Sequence, residues 1–87
     1  MHTASVVLID RDVTARSWAA SALTAGGLGV IGFDTARAFL SASSPPGPLC
    51  AVIDGNLYDM TCSQLQAEAE RKGLRVPLVF LVDHQQV

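Results

Sequence analysis

Long hydrophobic runs and clusters of basic residues are scarce in this sequence of 87 residues. The longest apolar runs, VVLI and LVFLV, are far shorter than the roughly 18 residues that a membrane span needs. Only six lysines and arginines are present against eight acids, which is too little positive charge to hold a nucleic-acid backbone. We therefore expect a soluble, cytoplasmic protein with no membrane partner and no direct nucleic-acid partner.

Cysteine is also scarce, and the two cysteines fit no metal-binding spacing. If Cys50 opens a strand and Cys62 opens the next helix, a rise of about 3.3 Å per strand residue separates them by roughly 15 Å, which is beyond disulfide reach. We predict two buried, reduced thiols that act as small hydrophobic residues.

What is present is an alternation of short apolar runs and helix-forming segments, in a chain long enough for one hydrophobic core. The predicted strands are residues 5–10, 29–33, 49–54 and 76–82, and the predicted helices are residues 13–25, 35–42 and 61–72. The segment SSPPGP, residues 43–48, is predicted to be a loop because proline disrupts regular structure. Strands joined by helices run parallel, so we predict one α/β domain over residues 1–87, a flavodoxin-like three-layer sandwich with strand order 2-1-3-4.

The predicted helix ends carry recognisable signals. Asp12 is placed to cap the first helix, and the pair Gly26–Gly27 ends it. Asp34 or Thr35 caps the second helix. Gly73 stops the third helix, which we expect to turn its apolar side towards the core.

The segment GLGVIG, residues 27–32, matches the G-x-G-x-x-G pattern of dinucleotide-binding loops letter for letter. Such a loop must follow a strand and open a helix, so that its backbone amides meet the pyrophosphate. Here the glycines follow a predicted helix and lead into a strand. A small flavodoxin-like enzyme or nucleotide binder therefore stays only as a second alternative.

Two aspartates, Asp10 and Asp54, end the first and third predicted strands, which are neighbours in the predicted sheet. Ligands of such sheets gather beyond the carboxyl ends of the strands. Two adjacent carboxylates repel unless a cation neutralises them, and Arg11 can supply that cation. We expect Arg11 to bridge both aspartates; alternatively, it receives a phosphoryl group carried by Asp54.

The segments VVLIDRD, VIDGNLYDM and RVPLVFLVDHQQV, in this order, resemble the receiver domains of bacterial response regulators. The resemblance covers nearly the whole chain, within the CheY-like superfamily, and AFL in the second helix and RKGLRVP before the fourth strand are similar to its FixJ-like branch. It implies a fold that lacks, within residues 1–87, the fifth strand and the last helices of a receiver.

The resemblance also implies roles for individual residues. Asp54 occupies the position of the phosphoacceptor, and Asp10 that of the first acid of a metal-binding pair. Asn56 occupies the position whose carbonyl helps to hold Mg²⁺. Arg11 replaces the second acid, and Val82 replaces the switch threonine or serine, so that the hydroxyl which would contact the phosphoryl group is missing.

We therefore expect an atypical receiver domain of two-component signal transduction, a protein-interaction and regulatory module with impaired phosphorylation and no enzymatic activity. We expect no cofactor and at most weak Mg²⁺ binding, with Asp10, Asp54 and Asn56 as ligands if any. The expected partners are a histidine kinase, a fused output domain, and a second copy that pairs through residues 78–82 or near Trp18. The alternative is a receiver that a histidine kinase does phosphorylate on Asp54.

Overall fold

The structure, a computed structural model, describes residues 4–42, 48–57 and 59–81. In chain order its elements are β1 (Ser5–Ile9), α1 (Val13–Ala25), β2 (Gly29–Phe33), α2 (Ala36–Ser41), β3 (Pro48–Asp54), α3 (Cys62–Arg71) and β4 (Leu78–Leu81). The strands form one parallel sheet in the order β2-β1-β3-β4. The predicted flavodoxin-like strand order is confirmed.

The core lies on the face of the sheet that α2 and α3 cover. Side chains alternate across a strand, so Val7 and Ile9 of β1 point to the same face as Ala51 and Ile53 of β3. All four are buried in one cluster with Ala36, Phe39 and Leu65 of the two helices. Phe39 also meets Phe33 edge to face, with ring centroids 5.8 Å apart.

The opposite face is covered less completely. Helix α1 contacts β1 and β2, yet none of its 13 residues is buried. Trp18 on this helix is 77% exposed. A helix rich in alanine removes little apolar surface from water, so α1 contributes less hydrophobic stabilisation than α3, whose Leu65 and Ala69 are buried.

The helix ends follow the predicted signals closely. The Asp12 carboxylate accepts hydrogen bonds from the amides of Thr14 and Ala15 at the start of α1. At its end, Gly27 has a φ of 89°, a conformation that a residue with a side chain rarely adopts. Thr35, and not Asp34, caps α2 with its own side chain.

The G-x-G-x-x-G segment follows a helix and leads into a strand, as expected if its match to the dinucleotide-binding pattern is a coincidence. Gly27 ends α1, and Gly29 begins β2 as its amide donates to the carbonyl of Ala4 over 2.8 Å. The helix precedes the strand, so these glycines do not open a helix towards a pyrophosphate.

Two predictions about individual residues are wrong. Pro48, which we expected in a loop, is the first residue of β3, a position where its missing N–H does not interrupt the ladder. Cys50 and Cys62 are free but only half-buried. The strand alternation sends Cys50 to the face opposite Ala51, the one that α1 covers incompletely, and Cys62 is the first residue of α3.

Among the residues that the structure describes, no helix has the length and hydropathy that a membrane crossing requires.

Candidate functional site

Asp10 and Asp54 lie side by side at the carboxyl edge of the sheet. The register pairs Ile9 of β1 with Ile53 of β3. Asp10 directly follows Ile9, and Asp54 directly follows Ile53. Neighbouring strands are about 4.8 Å apart. Both residues are half-buried, so solvent can reach the predicted pair of carboxylates.

Each carboxylate is oriented by its own loop. Asp10 accepts a hydrogen bond on Oδ1 from the amide of Asp12 over 2.9 Å. Asp54 accepts one on Oδ1 from the amide of Asn56 over 3.1 Å. Both are turns in which a side chain caps the backbone two residues on. No described residue donates a hydrogen bond to the second oxygen, Oδ2, of either carboxylate.

Arg11 does not make the predicted bridge. Its side chain is exposed, and within residues 4–42, 48–57 and 59–81 the only ion pair joins Arg71 to Glu68. β1 ends at Ile9, so strand alternation does not fix the direction of Arg11, which lies in the turn closed by the hydrogen bond from the Asp12 amide to Asp10. Its positive charge nevertheless stands within the loop that carries Asp10.

A different arginine contacts this edge, and the sequence reading missed it. Arg16 of α1 donates through Nη1 to the backbone carbonyl of Asp10. On its way its side chain crosses β2 above Gly32, where an added Cβ would lie 3.3 Å from the Arg16 Cδ. The signal in the sequence was a glycine in the interior of a strand, which often marks a close approach by another group.

Comparison with solved structures identifies the fold. The response regulator StyR is 27% identical, with a TM-score of 0.86 over 99% of this chain. The structure titled FixJ-N is 24% identical, with a TM-score of 0.79 over 92% of this chain. A response regulator receiver protein from Pseudoalteromonas atlantica is 19% identical, with a TM-score of 0.76 over 93%. The chain has the fold of a response regulator receiver domain.

The remaining comparisons show how much of each similar protein this chain covers. No family model matches the chain. Nodulation protein W of Bradyrhizobium diazoefficiens is 27% identical over 81 residues, which is 93% of this chain and 36% of that protein. The chain likewise covers 43% of StyR, 64% of FixJ-N and 70% of the Pseudoalteromonas protein. It therefore spans less than half the length of StyR and of Nodulation protein W.

The described side chains at this edge offer fewer oxygen ligands to Mg²⁺ than the resemblance implies. Mg²⁺ requires several oxygen ligands in near-ideal octahedral geometry. Asp10 and Asp54 offer two carboxylates, while Arg11 adds a like charge in place of a third. Asp12 is not a substitute, because its carboxylate caps α1. No group of three or more potential His, Cys, Asp or Glu ligands occurs in the described part of the chain.

The other predicted site residues are placed as follows. Asn56 lies two residues after Asp54 in the loop and is exposed. Val82, the predicted switch position, lies outside the described residues. The last described residue of β4, Leu81, pairs with Asp54, and its carbonyl accepts a hydrogen bond from Gly55 over 2.8 Å. β4 therefore reaches the same edge of the sheet as the acceptor position.

Asp59 is a second residue that the sequence reading missed. It lies five positions after Asp54, in the loop between β3 and α3. Its Oδ1 accepts from the amide of Ala36 over 3.3 Å and its Oδ2 from the amide of Arg37 over 2.9 Å. These amides are at the start of α2, where the first N–H groups of a helix have no acceptor within the helix itself. Asp59 thus ties the loop that follows the acceptor position to α2.

Proposed function

We propose that this chain is an atypical receiver domain of two-component signal transduction, which acts through protein contacts and whose phosphorylation on Asp54 is impaired. The observation that carries the proposal is the charge at the carboxyl edge, where Asp10 and Asp54 are accompanied by Arg11. Phosphoryl transfer to a carboxylate brings a highly charged donor to two anions, and a divalent metal is the usual means of neutralising them. The guanidinium of Arg11 is always positively charged, so it repels that metal, and it supplies no ligand oxygen.

The partners in this proposal are proteins. A receiver without efficient phosphorylation regulates by occupying a surface of a histidine kinase, of an output domain fused to it, or of a second copy of itself. Its role is then non-enzymatic and needs no cofactor, and Mg²⁺ binding is weak.

A receiver that is phosphorylated on Asp54 by a histidine kinase is the second candidate. It is favoured by the Asp54 carboxylate itself, which is half-buried at the carboxyl edge and has one oxygen to which no described residue donates a hydrogen bond. In that case Arg11 would receive the phosphoryl oxygens in place of the metal, since a guanidinium matches phosphate with paired hydrogen bonds.

Incubation with acetyl phosphate and Mg²⁺, followed by intact-mass measurement, separates the two candidates. We expect the unmodified chain to remain almost unlabelled, and Arg11→Asp to gain one phosphoryl group. The control Asp54→Asn should remain unlabelled in either background, which locates the label. Rapid, stoichiometric labelling of the unmodified chain at Asp54 would establish the second candidate instead.

A further inference from the structure

A groove of about 530 Å³ lies between α2 and α3, away from the residues of the acceptor site. Its apolar lining comes from Leu40, Met60 and Ala67. Leu40 and Met60 are half-buried, and Ala67 is exposed. The short side chain of Ala67 lets another molecule approach the helix closely, so the groove offers a small hydrophobic floor.

The two acids that line this groove are already engaged. Both oxygens of Asp59 accept hydrogen bonds from the first amides of α2. The carboxylate of Glu68 is hydrogen-bonded to the guanidinium of Arg71. That hydrogen bond is the largest cause that lowers the pKa of Glu68, with Lys72 and Arg37 as further positive neighbours. Glu68 therefore stays ionised at neutral pH and compensates Arg71.

Two cations of the groove, Arg37 and Lys72, form no ion pair with a carboxylate of the described residues. The guanidinium of Arg37 donates no hydrogen bond to any described residue, and its side chain is exposed. Lys72 makes one contact, in which its Nζ donates to the carbonyl of Leu40 over 3.4 Å. A chain with a formal net charge of −2 thus presents a local excess of positive charge above an apolar floor.

We infer that the α2–α3 groove is a docking surface for an acidic peptide segment of a partner protein, with one apolar anchor residue between its carboxylates. The anchor would lie over Leu40 and Met60, and the carboxylates would pair with Arg37 and Lys72. Such a peptide matches the groove in charge and leaves the pairs of Asp59 and Glu68 intact. The inference deepens the proposed function and rests on it, because it names the surface through which a receiver that works by contact would bind.

The test uses a fluorescein-labelled peptide of nine residues with the designed sequence EEEELEEEE, which has one apolar anchor between its carboxylates, titrated with the 87-residue chain and followed by fluorescence anisotropy. We expect saturable binding that weakens as salt is added, because exposed charges beyond a Debye length of about 10 Å at 0.1 M salt are screened. The same peptide with lysine in place of every glutamate should not bind.

Three single variants with the same change of charge locate the site. Arg37→Glu and Lys72→Glu should each weaken binding by roughly tenfold, the size of effect expected when a contacting charge is reversed. The control Arg75→Glu changes an exposed arginine that does not line this groove and should leave the affinity within about twofold. Arg37→Gln removes the charge with less risk to the fold and should give a smaller loss in the same direction.

Several outcomes would overturn the inference. These are the absence of saturable binding, an equal loss in Arg75→Glu, equal binding of the lysine peptide, or amide shifts centred on Asp10 and Asp54 instead of α2 and α3. Self-association of the chain that Arg37→Glu and Lys72→Glu both abolish, measured by light scattering, would make a second copy the occupant and also overturn it. Because no phosphodonor is present, labelling of Asp54 by acetyl phosphate would refute the proposed function independently of this result.

Discussion

At residue 11, a single side chain sets the charge of the loop that carries Asp10. Replacing it by aspartate removes a repulsive charge and adds an oxygen ligand, so Arg11→Asp should raise Mg²⁺ affinity by about tenfold or more, equivalent to about 1.4 kcal/mol. A Mg²⁺ titration followed by the fluorescence of Trp18 or by amide shifts measures this change. The variant Arg75→Asp, with the same substitution at a distant exposed site, should not show it.

Tight binding of Mg²⁺ by the unmodified chain, at millimolar concentration or below, would contradict this expectation. It would mean that the exposed side chain of Arg11 points far enough into solvent for the aspartates to act without it.

The hydrogen bond from Arg16 to the carbonyl of Asp10 gives a second prediction at this scale. Arg16→Met keeps an unbranched apolar stem over Gly32 but removes the charged donor, so the free energy of unfolding should fall by about 1.5 kcal/mol. Denaturant unfolding measures the loss, and the amide shifts of residues 10–12 should move with it. Arg75→Met should change stability by less than about 0.5 kcal/mol, the usual range for surface sites.

If Arg16→Met and Arg75→Met were equally stable, the contact of Arg16 with Asp10 would contribute nothing measurable to stability.

Among the elements, α2 depends most on a contact from elsewhere in the chain. It has only six residues, and Asp59 accepts hydrogen bonds from two of its first amides. Loss of a capping carboxylate costs about 1 kcal/mol, so Asp59→Ala should destabilise the protein by that amount. Hydrogen exchange at the amides of Phe39 and Ala42, which bond within this helix, should accelerate first.

Asp34→Ala is the matched control for Asp59→Ala. Asp34 is also an aspartate next to the start of α2, but it is exposed and accepts no hydrogen bond from any described residue. If the two substitutions had equal effects, the loss of stability would come from removing a negative charge near the start of α2 and not from removing the hydrogen bonds of Asp59.

The bounds of the elements show what local sequence determines. α1 and β2 begin and end at the predicted residues, because Asp12 and Gly27 act on their own neighbours in the chain. The cap of α2 by Asp59 joins residues 23 positions apart, and the approach of Arg16 to Gly32 joins a helix to a strand. No local pattern encodes the cap by Asp59, and a glycine inside a strand indicates that some group approaches closely but not that the group is Arg16.

The acceptor edge was predictable for a related reason. The ends of β1 and β3 follow from their apolar runs, and parallel pairing then places Asp10 beside Asp54. The direction of the Arg11 side chain was not predictable, because it depends on the backbone of the loop after the strand has ended.

For the whole molecule, the uneven covering of the sheet is the feature with the largest consequence. No residue of α1 is buried. Trp18 and Val13 of this region are 77% and 61% exposed, and Val79 and Leu81 of β4 are 44% and 57% exposed. Within the described residues β4 pairs only with β3, so its other edge offers unpaired backbone groups. Exposed apolar patches and open strand edges both favour association.

We therefore expect the 87-residue chain to form a dimer or higher oligomer at micromolar concentration, which light scattering measures directly. Two substitutions distinguish the surfaces: Trp18→Glu should dissociate a dimer that pairs through the α1 side, and Leu81→Lys one that pairs through β4, since edge lysines oppose strand addition. Arg37→Glu, on α2, should leave the oligomer unchanged. A stable, folded monomer that takes up no patch-binding dye would refute the prediction, because it would show that α1 shields the sheet sufficiently despite its small side chains.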